Sequence, residues 1–228
     1  MLVAFDLDGT LADSRRDLAD SANEMLAEFG AAPLDEARVG HMVGSGAPAL
    51  VARALAAGGV EAVPPGALAR FLAIYDRHLL NHTRLYPGIP EVLAELSPRV
   101  TLALLTNKPL EQSLRMLEAF GLTKYFALRA GGDGPWPRKP SPEGLQWLMQ
   151  QARETPERTL MVGDSMVDLE TGRCARARVC LARYGFGFGD IPPEEFAGDE
   201  WIADTPLAIP EIVAQSVGGL PSGRLARS

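Results

Sequence analysis

Lysine is scarce in this chain of 228 residues. Only three of its 22 basic residues are lysines, Lys108, Lys124 and Lys139; arginine supplies the rest. A lysine kept against that bias is a candidate for a specific task, because its ammonium is a compact point charge suited to an anionic oxygen. Lys124 has no motif beside it, whereas Lys108 and Lys139 do. Cys174 and Cys180 are the only cysteines. That is too few for a disulfide framework, and two reduced, buried thiols are expected. No apolar run approaches the roughly 20 residues of a membrane span, so no membrane partner is expected. No basic cluster appears and the net charge is −7, so no nucleic-acid partner is expected. The chain opens without a basic, apolar leader, and a cytoplasmic location is the expectation. With 46% hydrophobic residues it can build one substantial core, or a core with a smaller insert.

What is present begins at once. The apolar run Met1 to Phe5 ends abruptly in Asp6-Leu7-Asp8-Gly9-Thr10. A short continuous apolar run reads as a strand buried on both faces, as in a parallel sheet. Ligands of open α/β sheets bind beyond the carboxyl ends of strands. Two acids two residues apart in such a turn can share a cation and divide acid–base work.

Further along, the pattern alternates. Leu18, Ala22, Met25, Leu26 and Phe29 recur at helical spacing before Gly30, and residues 34 to 82 stay helical in character. Tyr86-Pro87-Gly88 marks a boundary. Strands are predicted over 100–105, 126–130, 159–162 and 179–182, with helices over 89–96, 110–120, 142–153 and 167–175. Alternating strands and helices mean a doubly wound, Rossmann-like parallel α/β sheet, interrupted after its first strand by an inserted α-helical block. The expected division is a core of 1–13 and 84–215, a helical cap of 14–83 and a flexible tail of 216–228.

Polar residues cluster at the predicted strand ends: Asp6 and Asp8, then Thr106 with Asn107, then Asp164 with Asp168. Lys139 stands at a helix entry. Right-handed crossovers place all strand carboxyl ends on one edge, so these residues can meet. Carboxylates, a hydroxyl and an ammonium suit Mg²⁺ and a phosphoryl group. Each residue also has a plainer use. Thr106 or Asn107 could cap the following helix, Asp164 could be an N-cap, and Asp168 a surface acid one turn later.

Taken together, the four motifs Asp6-x-Asp8-Gly9-Thr10, Thr106-Asn107, Lys139-Pro140 and Gly163-Asp164-Ser165-x-x-Asp168 resemble those of the haloacid dehalogenase superfamily, in order and spacing. The helical block and Tyr86-Pro87-Gly88 are similar to its phosphoglycolate phosphatase-like branch. The resemblance implies that Asp6 is a nucleophile forming an aspartyl phosphate, and that Asp8 is the general acid and base. It implies that Asp6, the backbone carbonyl of Asp8 and Asp164 bind Mg²⁺, with Asp168 supporting the metal directly or through water. It also implies that Thr106, the Asn107 backbone N–H and Lys139 hold the phosphoryl oxygens. Dehalogenases lack a carboxylate two residues after the nucleophile, so Asp8 argues against that chemistry. Phosphonatases need a cap lysine, and residues 14 to 83 contain none.

The implied activity is hydrolysis of a small phosphorylated metabolite, 2-phosphoglycolate in the first instance. Another small phosphate ester, pyrophosphate, a β-phosphoglucomutase-like sugar-phosphate mutase, or a non-catalytic regulator on the same fold are the alternatives. Gly44-Ser45-Gly46 is the expected cap loop facing the site. The oligomeric state is open between monomer and homodimer. Arg176 departs from the resemblance, standing where a glycine would accept a left-handed helix end. Trp136, in a Gly/Pro-rich loop, is expected to anchor that loop.

Overall fold

Along the chain, β1 (Leu2–Phe5) is followed by a two-residue strand β2 (Ala12–Asp13) and four helices. These are α1 (Arg15–Glu28), α2 (Glu36–Gly40), α3 (Ala47–Ala57) and α4 (Ala67–His78). A second two-residue strand, β3 (Arg84–Leu85), precedes α5 (Ile89–Leu96), β4 (Thr101–Leu105), α6 (Leu110–Ala119) and β5 (Leu128–Ala130). The chain continues through α7 (Glu143–Ala152), β6 (Thr159–Gly163), α8 (Met166–Cys174), β7 (Arg178–Ala182), β8 (Trp201–Ala203) and α9 (Ile209–Gly218). The computed structural model describes residues 1–218. The tail expected from residue 216 starts inside α9, and the remainder of that segment, 219–228, lies outside the described residues.

Six strands pair in parallel in the order β5-β4-β1-β6-β7-β8. All four residues of β1 are buried, and their alternation serves two cores. Val3 and Phe5 face Val92, Leu93, Met116 and Ile209 of α5, α6 and α9. Leu2 and Ala4 face Leu145 and Leu148 of α7. A strand covered on both sides must be apolar at every position, which is why the sequence shows a run rather than an alternation. No helix among the described residues is long and apolar enough to cross a membrane.

Between β2 and β3 the chain leaves the sheet for the four insert helices. The two connections pair antiparallel, Ala12 with Leu85 and Asp13 with Arg84. Asp17, fully buried in the first turn of α1, accepts hydrogen bonds from the His82 and Thr83 backbone N–H groups and the Thr83 hydroxyl. Both ends of the insert are thus tied together beside the sheet edge. β2 and β3 escaped sequence reading because two residues carry no period. β8 escaped because its three residues follow Asp199 and Glu200.

The helix end at Arg176 forms despite the side chain. Arg176 adopts φ +58°, its N–H bonds the Arg173 carbonyl, and the Ala177 N–H reaches back to Gly172. These are the closing bonds of a left-handed helix terminus. The Trp136 ring lies 4.7 Å from that of Trp147 of α7, tilted by 31°, an anchor for its loop. Of the two thiols expected to be buried, Cys180 is, within β7, whereas Cys174, the last residue of α8, is exposed.

Candidate active site

Sheet order brings the polar motifs together. β1 lies between β4 and β6, and Asp6, Thr106 and Asp164 are the residues that follow these three strands. Neighbouring strands run about 4.8 Å apart, so three consecutive strand ends make one compact polar edge. Backbone bonds hold the register there: the Asp6 N–H reaches the Val162 carbonyl at 2.9 Å, and the Thr106 N–H reaches Ala130 at 3.0 Å.

Asp6, Asp164 and Asp168 are buried and each offers an oxygen within 4.8 Å of the others. Lys139 Nζ lies 2.9 Å from Asp6 Oδ1 and 2.6 Å from Asp168 Oδ1. Burial opposes its charge, but Asp168 and Asp6 outweigh that and raise its pKa. Burial pushes Asp6 up to about 6, with Lys139 pulling against it and Asp168 adding to it. Burial, then Asp168 and Asp6, hold Asp164 well above the ordinary carboxylate range. Three buried carboxylates therefore face one ammonium. Asp6 Oδ1 meets Lys139 at ion-pair distance without an aligned hydrogen bond. This excess of hard, underpaired oxygens fits a divalent cation.

Asp168 is not a surface acid. Its Oδ2 accepts from the Asp164 and Ser165 N–H groups and, at 2.7 Å, from the Ser165 hydroxyl, closing a capping box at the start of α8. Its Oδ1 takes Lys139. Both oxygens are engaged, so Asp168 acts on the cluster by fixing Lys139. Asp164 is not the N-cap; Ser165 is. Asp164 Oδ2 instead accepts from the Gly187 N–H at 2.7 Å, and Oδ1 from the Thr10 hydroxyl at 3.3 Å. Two glycines make room for it. A Cβ on Gly9, where φ is +88°, would fall 2.0 Å from Asp164 Oδ2, and one on Gly185 would fall 2.3 Å from Asp164 Cβ. Gly185 and Gly187 serve the site from a loop far along the chain; their spacing in Tyr184-Gly185-Phe186-Gly187 was the available signal.

Asp8 stands apart from this cluster with its own partners. Ser14 donates to Asp8 Oδ1 at 2.5 Å, and Lys108 Nζ reaches Asp8 Oδ2 at 2.8 Å and Oδ1 at 3.0 Å. Lys108 also donates to the Tyr75 hydroxyl on α4 at 2.6 Å. Burial opposes the Lys108 charge, but Asp8 and Tyr75 raise its pKa. Sequence reading singled out Lys108 by its rarity without assigning a partner. It missed Ser14 and Tyr75, whose roles depend on the insert folding back over the sheet.

Thr106 and Asn107 do not cap α6. That task falls to Asp133, which accepts from the Leu110 N–H at 2.8 Å. The Thr106 hydroxyl instead accepts from the Lys108 N–H at 3.2 Å. The Asn107 side chain bonds the Lys139 backbone on both sides, at 2.8 and 2.9 Å, and donates to the Gly44 carbonyl at 2.8 Å. It therefore joins two motifs to the Gly44-Ser45-Gly46 loop. That loop covers the edge: a Cβ at Gly46 would lie 3.2 Å from the Asn107 carbonyl, and one at Gly44 3.7 Å from Ser165 Oγ. Ser45 faces away, toward Arg53 at 3.4 Å. Beneath the loop is a cavity of about 50 Å³, lined by Asp6, Asp8, Thr106 and Lys108 below and by Leu50 and Phe71 above.

A buried acid cluster at the switch point of a doubly wound sheet, under a helical insert, defines a class of hydrolase. The chain belongs to the haloacid dehalogenase-like hydrolases, whose family model matches residues 3–182. Within that family it is a phosphatase. It is 41% identical to a phosphoglycolate phosphatase of Rhodospirillum rubrum, over 81% of this chain and 80% of that protein. It is 36% identical to a phosphoglycolate phosphatase of Agrobacterium fabrum, over 95% of this chain and 94% of that one. The crystal structure of a predicted phosphoglycolate phosphatase from Haemophilus somnus superposes with a TM-score of 0.84 at 32% identity, covering 92% of this chain and 96% of that chain.

Proposed function

We propose that this protein is a Mg²⁺-dependent phosphomonoesterase acting on a small phosphorylated acid, 2-phosphoglycolate, in the cytoplasm. The observation that carries the reading is the pairing of two differently furnished carboxylates in one small cavity. Asp6 is buried among acids beside Lys139, and Asp8 is held by Ser14 and Lys108. The names of the relatives at 36–41% identity supply the substrate.

An Asp6 carboxylate oxygen attacks phosphorus as the bond to the leaving alkoxide breaks, and Asp8 gives that oxygen a proton. Asp8 then takes a proton from the water that displaces Asp6 from phosphorus, returning both acids to their starting states. Thr106, the Asn107 N–H and Lys139 hold the phosphoryl oxygens, on which charge is spread in the transition state. Asp6, the Asp8 backbone carbonyl and Asp164 would hold Mg²⁺, with Asp168 securing Lys139 behind them. The ion when bound would neutralise charge between Asp6 and the phosphate. Residues 1–13 and 84–215 act as the catalytic core. Residues 14–83 act as a cap that closes over substrate and excludes water.

Phosphate release from a panel of small phosphomonoesters with Mg²⁺, measured for wild type beside Asp6→Asn, tests this. The expected result is one strong preference, for 2-phosphoglycolate, with kcat/KM above about 10⁴ M⁻¹s⁻¹ and abolished by the substitution. Turnover surviving Asp6→Asn would refute the mechanism, and a stronger preference for another ester would refute the substrate.

A further inference from the structure

We infer that Lys108 is the group that reads the substrate's carboxylate, and that it selects phosphorylated small acids over neutral phosphate esters. The inference rests on the substrate reading above and adds the residue responsible. Among the described residues lining the cavity, Lys108 is the single cation. Apart from the Tyr75 hydroxyl, which Lys108 already engages, the side chains on the insert side of the wall are apolar: Leu18, Val43, Leu50, Phe71 and Leu72. A carboxylate entering such a space without a countercharge would lose its hydration with nothing in exchange.

Geometry places Lys108 on the leaving-group side. Its Nζ is 2.8 Å from Asp8 Oδ2, on the side chain that in its protonated form gives the leaving oxygen its proton. In a phosphorylated 2-hydroxy acid the carboxylate carbon is two bonds from that oxygen, so its own oxygens lie roughly 3 Å away by ordinary bond lengths. A group hydrogen-bonded to Asp8 through the leaving oxygen therefore carries its carboxylate into reach of Lys108. An ammonium has three donors. Asp8, met through both oxygens, can share one, and the Tyr75 hydroxyl takes a second. The third is left for the ligand. Tyr75 belongs to α4 of the insert, so the position of the ammonium is set jointly by sheet and insert. Retention of lysine here, in a chain that has all but abandoned it, agrees with a single exacting task.

The test compares wild type, Lys108→Met and Tyr75→Phe on 2-phosphoglycolate and on ethyl phosphate, which has the same two carbons with a methyl in place of the carboxylate, with Mg²⁺ present. Circular dichroism and thermal unfolding verify the fold of each variant. Wild type is expected to prefer phosphoglycolate strongly in kcat/KM. Lys108→Met should lower phosphoglycolate turnover about 100-fold more than ethyl phosphate turnover, the scale of a charge-assisted hydrogen bond lost in an apolar site. Tyr75→Phe should erode the same ratio by a smaller factor, and it keeps the question answerable if Lys108→Met does not fold. Equal losses on both esters would overturn the assignment and leave Lys108 as a support for Asp8 alone. A wild type inactive on phosphoglycolate would instead overturn the substrate reading on which the assignment rests.

Discussion

Asp168 holds Lys139 by a 2.6 Å ion pair in which both side chains are buried, while its other oxygen closes the first turn of α8. One carboxylate thus fixes both a helix start and the cation beside Asp6. Asp168→Asn would leave Lys139 facing an amide. The expected cost is 10- to 100-fold in kcat/KM, typical of a residue that positions another, and separately about 3 kcal/mol or more of stability. At about 2–4 °C per kcal/mol in a chain of this size, the melting temperature should fall by roughly 10 °C. Steady-state kinetics and calorimetry check both. Unchanged activity would mean Lys139 does not need this partner.

Asp6 titrates in the folded protein near 6, against 3.8 for a free carboxyl, chiefly through burial. A carboxyl with a raised folded pKa favours the fold below pH 3.8, and loses that contribution as pH rises through about 6. The loss is about 3 kcal/mol in metal-free protein. Asp6→Asn has no proton to release. Its stability advantage over wild type should therefore grow between pH 4 and 6 and level off above, in urea unfolding with EDTA. A difference flat across that window would show that Asp6 is not destabilised by burial.

Gly46 sits at φ +87°, where a Cβ would press on Arg138 at 3.1 Å and on the Asn107 carbonyl at 3.2 Å. Gly46→Ala strains the loop and pushes it from the sheet edge. If closure of this loop completes the site, kcat/KM should fall about tenfold or more with the melting temperature lowered by only a few degrees. Retention of full activity would remove the loop from the site.

Arg176 occupies the left-handed position that ends α8. Such a conformation costs a side chain about 1 kcal/mol relative to glycine, so Arg176→Gly should stabilise the protein by a few degrees in thermal unfolding. Activity should not change, because the position lies outside the site. A destabilised variant would show that the arginine side chain earns its place through contacts.

The strands of the sheet centre were legible because β1, β4, β6 and β7 are covered on both sides, so that beyond the entering residues Thr101, Thr159 and Arg178 their runs carry no polar side chain. The three-residue β8 and the paired connections β2 and β3 were not, because so few residues carry no period and their pairing partners are distant in sequence. The left-handed turn at Arg176 was readable as a position and not as an outcome: nothing local to the sequence says that an arginine will accept it.

The residues of the acid cluster could be named from sequence because each directly follows a strand or opens a helix, and parallel topology sends all strand carboxyl ends to one edge. Their division of labour could not. Asp168 turning to Lys139, Asn107 binding Gly44, and Lys108 joining Asp8 to Tyr75 are contacts spanning 29, 63 and 33 to 100 positions. Spacing along a chain encodes which face a side chain takes. Which partner it meets there is decided only when the insert folds back over the sheet and burial forces every polar atom to find one.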